Sequence, residues 1–335
     1  MFPEFEEYLL DLETGQHSGS GDVSENTIRK RRRELENFEQ WVRENRDVTE
    51  CKNVSGRDVL RYVNHLVDEG YAPNTITNSK WSSVSATFNH LYESNEIEEN
   101  PVGRISRGVV KDKAKAGQST DERKKHDSGP KDHLTKAEVY ELAEDHVPEP
   151  RDRNELLVKL MFWTGCRVSE VLNVTIGDDG SLDGPNSDVF PDVPKIQVYR
   201  SKSDSVDVVG YKSKELNPLL YDWCRKGRLR YKCSFDTDAL FIGRKGELTQ
   251  SRVNDIINEA AENMGIQESN RESVDGRSYK RVTPHIFRHS CAMYYRNEEG
   301  RTLDDIKAQL GHSKAKTTEE FYSEETEERV VELFS

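Results

Sequence analysis

Two histidines and an arginine share one face of a helix that the sequence predicts to begin at Thr283-Pro284, since proline favours the first helical position. His285, Arg288 and His289 follow at i, i+3 and i+4, a spacing that brings side chains together on a helix. A histidine pair at this spacing could bind zinc. However, the glutamate of an HExxH motif is missing, and Arg288 adds a fixed positive charge. The cluster therefore favours an anion over a metal ion.

Arg167 lies at a second predicted helix N-terminus. An apolar helix ends at Gly165, and Val168 begins the next one. Unpaired backbone N–H groups and the helix dipole favour an anion at such a position. An arginine there can bind a phosphate with its two-pronged guanidinium group. This arginine and the histidine cluster therefore favour the same kind of ligand.

A Leu-Gly-His sequence and a later tyrosine complete the set. Gly311 is expected to end one helix just before His312. Thr317 and Glu320 form a capping box that opens another helix, which places Tyr322 in the first turns of that helix. Two arginines, three histidines and a following tyrosine in this order are far more specific than one arginine with one histidine.

The length and composition bound the class of protein that carries these residues. The chain has 335 residues, which suits two domains, and no run of 18 apolar residues, which excludes a membrane-spanning helix. Its acidic N-terminus lacks the basic region of a signal peptide. Five scattered cysteines, odd in number and never spaced as CxxC, indicate reduced thiols in a cytosolic protein. We expect a soluble, cytoplasmic protein with no membrane partner.

The net charge of -13 argues at first against a nucleic-acid partner, because phosphate binding relies mainly on basic side chains. Net charge is a sum, however, and a basic patch can coexist with an acidic remainder. A halophilic host would explain the acidic surface and the low apolar content together.

Residues 1–103 are expected to form a small all-helical domain. The first helix is predicted after Ser24 or Asn26, the second after Ser55, and the third between Asn74 and Asn95. Residues 104–132 hold nine basic and five acidic residues and few large apolar ones, which predicts a basic linker. This linker could be a solvated joint or a strap that lies along a polyanion.

Residues 133–335 are expected to form a second, larger domain. Thr135 and Glu138 form a capping box at its opening helix. Helices dominate, but residues 195–199 and 205–209 are typical of two strands around a polar turn. The regions 177–194 and 269–280 are predicted to be loops. The predicted fold class is mainly α with a small β-hairpin.

The motifs around Arg167, His285–His289, His312 and Tyr322 resemble the signature of the tyrosine recombinases, the Xer, Cre and phage-integrase family. Residues 24–101 resemble the core-DNA-binding domain of that family, so the resemblance covers nearly the whole chain. It implies a two-domain DNA clamp with an α+β catalytic domain. The family also places a lysine on a β-hairpin turn, which Lys202 fits better than Lys195 or Lys212.

The resemblance implies site-specific cleavage and rejoining of double-stranded DNA through a 3′-phosphotyrosyl intermediate, without cofactor or metal. Arg167 and Arg288 would neutralise the phosphate oxygens, and Lys202 would protonate the leaving 5′-oxygen. His285 would act as acid and base for the tyrosine Tyr322. His289 or His312 would complete the hydrogen bonds around the phosphate. Glu170 would either orient Arg167 or be an exposed helix carboxylate.

One departure concerns the nucleophile. The family's tyrosine usually falls about nine residues after the histidine of the Leu-Gly-His motif. That position is Phe321, and Tyr322 is one further, a rotation of roughly 100° on a helix. Either the turn at residues 313–316 absorbs the extra residue, or the protein binds DNA without cleaving it. We favour the first alternative, because the sequence offers no better tyrosine. The nearest others are Tyr294 and Tyr295.

The resemblance also implies a homotetramer on two DNA duplexes, with the apolar C-terminal segment docked on a neighbouring copy. The bland alternative for this segment is a helix packed on its own domain. Two other functions stay open: a non-catalytic DNA-binding regulator on the same fold, and a topoisomerase of type IB that uses the same residues. A recombinase would be associated with the nucleoid.

Overall fold

The computed structural model describes two compact units, one built mainly by residues 1–128 and one mainly by residues 129–335. The residues that it describes are 1–15, 23–116, 133–178, 180–182, 184–200, 204–231, 233, 236–272, 274 and 278–311. Lys202, His312, Tyr322 and the C-terminal segment lie outside this set.

The described part of the first unit is helical. Its helices are α1 (Pro3–Thr14), α2 (Glu25–Arg46), α3 (Gly56–Asp68), α4 (Pro73–Thr75), α5 (Trp81–Glu93) and α6 (Arg107–Ala116), with a 3₁₀ turn at Cys51–Asn53 and a π-helical turn at Ile76–Lys80.

Local capping and aromatic packing explain these helices. The Ser24 hydroxyl accepts a hydrogen bond from a backbone N–H in the first turn of α2, and Ser55 forms a capping box at α3. Both starts confirm the sequence prediction. In the core, Phe5 of α1, Phe38 of α2 and Phe88 of α5 are fully buried and contact one another, with ring centroids 5.6–6.4 Å apart.

Two predictions for this unit were wrong. Ser24 does not begin the first helix, because α1 precedes it and contributes Phe5 and Leu9 to the core. The predicted basic linker over residues 104–132 is also incorrect between Arg107 and Ala116. That segment is α6, whose Val110 and Ala114 are 0% and 1% exposed. Two small apolar residues one turn apart are enough to bury one face of an otherwise basic helix.

The second unit combines helices with short antiparallel sheets. Its helices are α7 (Lys136–Glu141), α8 (Arg151–Thr164), α9 (Val168–Leu172), α10 (Ser213–Asp222), α11 (Gln250–Asn263), α12 (Pro284–Asn297) and α13 (Leu303–Leu310), with π-helical turns at Leu142–His146 and Trp223–Gly227 and a 3₁₀ turn at Arg228–Arg230. The capping box predicted at Thr135 is confirmed at the start of α7.

The strands are β1 (Val189–Phe190), β2 (Lys195–Arg200), β3 (Ser205–Gly210), β4 (Ile242–Gly243), β5 (Gly246–Glu247), β6 (Ser269–Glu272) and β7 (Ser278–Lys280). β2 is the middle strand of a three-stranded sheet, and its pairing with β3 confirms the predicted hairpin. The last pair before the turn joins Arg200 to Ser205. The predicted loops at 177–194 and 269–280 were wrong where β1 and the β6–β7 hairpin form.

Within the described ranges, no helix is long and apolar enough to cross a membrane. All five cysteines carry free thiols.

Candidate active site

Gly165 allows the end of α8, helix α12 and the end of α13 to approach one another closely. It ends α8 in the left-handed conformation, with φ at 64°. A Cβ at this position would overlap the Leu310 side chain of α13 and would lie 2.9 Å from the Cys291 sulfur of α12. Glycine is therefore needed here both for the backbone turn and for the close approach of the other helices.

Arg167 is the N-cap of α9, as the sequence predicts, and it is held by a buried carboxylate. Glu170 Oε2 accepts a hydrogen bond from the backbone N–H of Arg167 at 2.7 Å, and Oε1 accepts one from Arg167 Nη1 at 2.6 Å. The Glu170 side chain is 4% exposed, whereas that of Arg167 is 38% exposed. Glu170 is therefore not an exposed helix carboxylate, and it fixes a guanidinium group that reaches solvent.

Arg288 of α12 is buried beside Arg167. Its Nη1 donates to the carbonyl oxygen of Gly165 and its Nη2 to that of Leu310, both at 2.7 Å. Burial lowers the pKa of Arg288 to about 10. The positive charges of Arg167 and Arg200 add to this decrease, and Glu170 opposes it. A cation whose pKa is lowered by neighbouring cations lies in a positive potential, which an anion would relieve.

His285 and His289 lie on the same helix as Arg288. Their ring centroids are 4.8 Å apart and the rings are nearly perpendicular. His285 is exposed and His289 half-buried, so the predicted face of α12 is formed. No group of three or more His, Cys, Asp or Glu side chains within the described ranges is arranged to hold a metal ion.

Arg200 is a third arginine in this cluster, and the sequence analysis missed it. The last residue of β2, it donates from Nη1 to both Glu170 carboxylate oxygens at 3.2 Å and to the Leu310 carbonyl at 2.9 Å. The signal was present in the sequence. Ile196, Val198 and Arg200 alternate along β2 and share its buried face, so the charged residue had to find partners inside.

The competing lysines are engaged elsewhere. Lys212 Nζ lies 2.8 Å from a Glu299 carboxylate oxygen, and Lys195 Nζ lies 4.8 Å from the centre of the Phe190 ring. Lys202 belongs to the turn between β2 and β3, outside the described residues, so its position at the site stays a prediction.

The competing tyrosines are also engaged. The Tyr294 hydroxyl donates to Glu299 Oε1 at 3.3 Å, and the Tyr295 hydroxyl donates to the Trp163 carbonyl at 3.2 Å. Burial raises the pKa of both phenols. Tyr322 and His312 lie beyond the described residues, and their roles stay predictions. Gly311, directly before His312, ends α13 in the left-handed conformation, as predicted.

The chain matches the model of the phage integrase family over residues 133–329 and that of the N-terminal SAM-like domain of phage integrases over residues 6–95. The first match covers more than half of the chain. The chain therefore belongs to the phage integrase family.

Relatives match nearly the full length. Tyrosine recombinase XerC of Roseiflexus sp. (strain RS-1) is 27% identical over 305 residues, covering 89% of this chain and 83% of the relative. Tyrosine recombinase XerD of Halalkalibacterium halodurans is 22% identical over 319 residues, covering 93% and 91%. Together with the family match, these relatives show that the chain is a tyrosine-type recombinase, an enzyme that breaks and rejoins DNA.

Solved structures share the fold. XerH site-specific recombinase, bound to a palindromic difH substrate after cleavage, has a TM-score of 0.63 at 18% identity, covering 99% of this chain and 94% of that one. A lambda integrase dimer bound to a COC′ core site has a TM-score of 0.61 at 16% identity, covering 96% and 94%. The predicted fold class, mainly helical with small antiparallel sheets, is confirmed.

Proposed function

We propose that the chain carries out site-specific DNA strand exchange with Tyr322 as the nucleophile and the arginine cluster as the phosphate site. The supporting observation is the cluster itself: Arg288 is buried, its pKa is lowered by burial and by the nearby charges of Arg167 and Arg200, and the end of α13 and Gly165 hold it in place. A phosphodiester gains most from fixed donors that face its non-bridging oxygens as negative charge develops there.

The reaction balances without a cofactor. The Tyr322 hydroxyl oxygen attacks the phosphorus, and the bond from phosphorus to the 5′-oxygen breaks. The tyrosine loses its proton, the 5′-oxygen gains one, and a 3′-phosphotyrosyl bond replaces the phosphodiester. Attack by a 5′-hydroxyl reverses the step and rejoins the strand, so the bond energy is conserved in the covalent intermediate.

Each remaining residue has a place in this scheme. Arg167 and Arg288 neutralise the non-bridging oxygens, and Lys202 protonates the leaving oxygen. His285 exchanges the proton of the tyrosine, and its exposed ring one turn before Arg288 supports that role. His289 and His312 hydrogen-bond to the phosphate or its attacking group.

A nicked suicide duplex that releases a short 5′-fragment tests this assignment, because the cleaved complex cannot religate. We expect a covalent adduct from the wild-type chain on its own target site. Tyr322→Phe should abolish the adduct while DNA binding stays within about twofold. Tyr294→Phe is the matched control and should keep the adduct, because its hydroxyl contacts Glu299. An adduct formed by Tyr322→Phe refutes the assignment.

A residue swap tests the one-residue offset directly. The double variant Phe321→Tyr with Tyr322→Phe moves the hydroxyl by one position, to the spacing that the family usually has. Since one position rotates a helical side chain by roughly 100°, we expect the swap to lose the adduct. A swap variant that cleaves as fast as the wild type would show that residue 321 faces the phosphate.

Three assays separate the alternative functions: adduct formation on the suicide duplex, relaxation of a supercoiled plasmid, and strand exchange between two duplexes. A non-catalytic regulator binds the duplex and forms no adduct with any variant. A topoisomerase relaxes any supercoiled plasmid, whatever its sequence. A recombinase exchanges strands only between duplexes that both contain the target site.

The partners follow from this activity. We propose that four copies assemble on two duplexes, that residues 323–335 dock on a neighbouring copy, and that the enzyme stays in the cytoplasm on the nucleoid. The lambda integrase of the same fold, seen as a dimer on its core site, supports assembly on DNA. Light scattering should find four copies and two duplexes together in one complex.

Truncation after Thr326 should leave separate complexes of two copies on a single duplex, and it should abolish strand exchange. Intact exchange would mean that the segment packs on its own domain.

A further inference from the structure

Arg200 is the last residue of β2 and is not one of the candidate catalytic residues. The turn that follows it carries Lys202. The Arg200 side chain turns inward and is 3% exposed. A buried guanidinium group is costly unless its N–H groups find acceptors, so the partners of Arg200 indicate what the residue holds together.

Those partners come from three separate segments. Nε donates to Asp207 Oδ2 of β3 at 2.6 Å, which ties the guanidinium to its own hairpin. Nη1 donates to Glu170 of α9 at 3.2 Å and to the Leu310 carbonyl at 2.9 Å. Nη2 lies 3.4 Å from the Gln309 carbonyl oxygen. One side chain therefore bridges the lysine hairpin, the carboxylate that holds Arg167, and the end of α13.

The end of α13 is shaped to receive this group. Carbonyl oxygens at a helix C-terminus lack intrahelical partners and carry partial negative charge, which a cation satisfies. Gly311 follows with φ at 63°, and a Cβ there would overlap the guanidinium of Arg200. The Leu310 carbonyl oxygen accepts hydrogen bonds from both Arg288 and Arg200. The carbonyl of Leu310, two positions before His312, is thus fixed by two arginines.

We propose that Arg200 is a positioning residue for strand cleavage. It sets the hairpin of Lys202 and the end of α13 at a fixed distance from Glu170, so that the general acid and the residues after Gly311 meet the same phosphate. The inference rests on the proposed function, because the step that it serves is cleavage by Tyr322.

Arg200→Ala should slow single-turnover cleavage of the suicide duplex by about 10–100-fold, comparable to the loss when a partner that orients a metal-ligating residue is removed. DNA affinity should stay within about twofold, because Arg200 is buried away from solvent. Arg200→Lys should recover part of the rate, since it restores the charge but not the branched donor set. Arg228→Ala is the matched control. Arg228 is 1% exposed and donates to the Ala239 and Thr237 carbonyls, outside the cluster.

A substrate with sulfur in place of the bridging 5′-oxygen separates positioning from stability. A loss of stability alone would lower the cleavage rate on the oxygen and the sulfur substrate equally. A thiolate leaves without a proton, so the substrate bypasses the general acid. We expect Arg200→Ala to regain much of its lost rate on the sulfur substrate, as Lys202→Ala would. An equal slowing on both substrates, or a rate equal to that of Arg228→Ala, would overturn the proposal.

Amide hydrogen exchange separates this inference from the proposed function. In Arg200→Ala, exchange of residues 303–311 should accelerate at least tenfold relative to the wild type and to Arg228→Ala, whether or not the chain cleaves DNA. Unchanged protection there would refute the positioning role even if Tyr322 is the nucleophile. Failure of the wild type to form any adduct, with faster exchange in Arg200→Ala, would refute only the proposed function.

Discussion

Arg288 binds two main-chain carbonyl oxygens, whereas Arg167 and Arg200 bind carboxylates. Within the described ranges, no carboxylate forms an ion pair with Arg288, and Glu170 is shared by the other two arginines. Hydrogen bonds to carbonyls hold the guanidinium in place without neutralising it. Its charge is therefore available to a phosphate, although burial and the adjacent cations lower its pKa to about 10.

In the first unit, a buried charge does have a partner of opposite sign: Glu34 forms an ion pair with Lys80. Glu34 of α2 is 2% exposed and accepts hydrogen bonds from Lys80 Nζ at 3.1 Å, Ser79 Oγ at 3.3 Å and Arg33 Nη2 at 2.8 Å. Burial alone would raise the pKa of Glu34. The hydrogen bond from Arg33 and the charge of Lys80 outweigh it, so the pKa is lowered.

This lowered pKa makes the fold sensitive to acid. Stability from Glu34 is fully present above the unfolded pKa, about 4.3, and is lost as pH falls through the lower folded value. We expect Glu34→Gln to destabilise the chain by about 3 kcal/mol at pH 7, because Lys80 stays buried without its counter-charge, and by less at pH 3, which lies below the unfolded pKa of the carboxyl. Urea unfolding at both pH values measures the difference.

Glu25→Gln is the control, since Glu25 forms an exposed pair with Arg29 that should contribute less than about 0.5 kcal/mol. The same loss for Glu34→Gln at pH 7 and at pH 3 would contradict the acid linkage.

At the scale of the element, most of the correct predictions rest on local signals. The caps at Ser24, Ser55 and Thr135 depend on three or four residues, and the alternation in β2 and β3 on six. Helix α6 was missed because its charged composition is that of a linker and its burial comes from packing on other helices. Helix α1 was missed although its buried Phe5, Tyr8, Leu9 and Leu12 already follow helical spacing.

The residues of the site also differ in whether the sequence could identify them. Arg167 and Arg288 could be found because each lies at a helix start with a recognisable motif around it. The contact of Arg288 with the Gly165 carbonyl and that of Arg200 with the Leu310 carbonyl could not be found, because each joins residues more than a hundred positions apart in the chain. Arg200 was missed because a single arginine in a strand has no motif, and only its inward register indicates burial.

Adjacent valines on α6 test whether this segment is a packed helix. Val110 is fully buried and Val109 is 44% exposed. Val110→Asp should destabilise the chain by about 3 kcal/mol, because it buries a carboxylate without a partner. Val109→Asp should change stability by less than about 0.5 kcal/mol. Denaturant unfolding compares the two. Equal effects would mean that residues 107–116 behave as a linker in solution.

At the scale of the whole molecule, a cationic site lies in a chain of net charge -13. Like charges over the surface repel one another and destabilise the compact state, and salt screens this repulsion. DNA binding at the site depends instead on the local positive charge of the arginine cluster, which the net charge of the chain does not reveal. The two effects should respond to salt in opposite directions.

We expect the free energy of unfolding to rise between 0.1 M and 2 M KCl, because salt screens the repulsion among the excess acidic residues. DNA affinity should fall over the same range as counterions compete for the phosphates. Unfolding curves and fluorescence anisotropy with a labelled duplex measure the two trends. A fold that is equally stable at both salt concentrations would count against adaptation to a saline host.

The overlap that a side chain at position 311 would create also constrains how such a protein can diverge. Because the missing Cβ of Gly311 leaves the space that the Arg200 guanidinium fills, the two positions should change together across related sequences. Homologues with a larger residue after Leu310 should carry a shorter side chain at the end of β2. A pairwise substitution survey, or the double variant Gly311→Ala with Arg200→Ser against each single variant, would reveal that dependence.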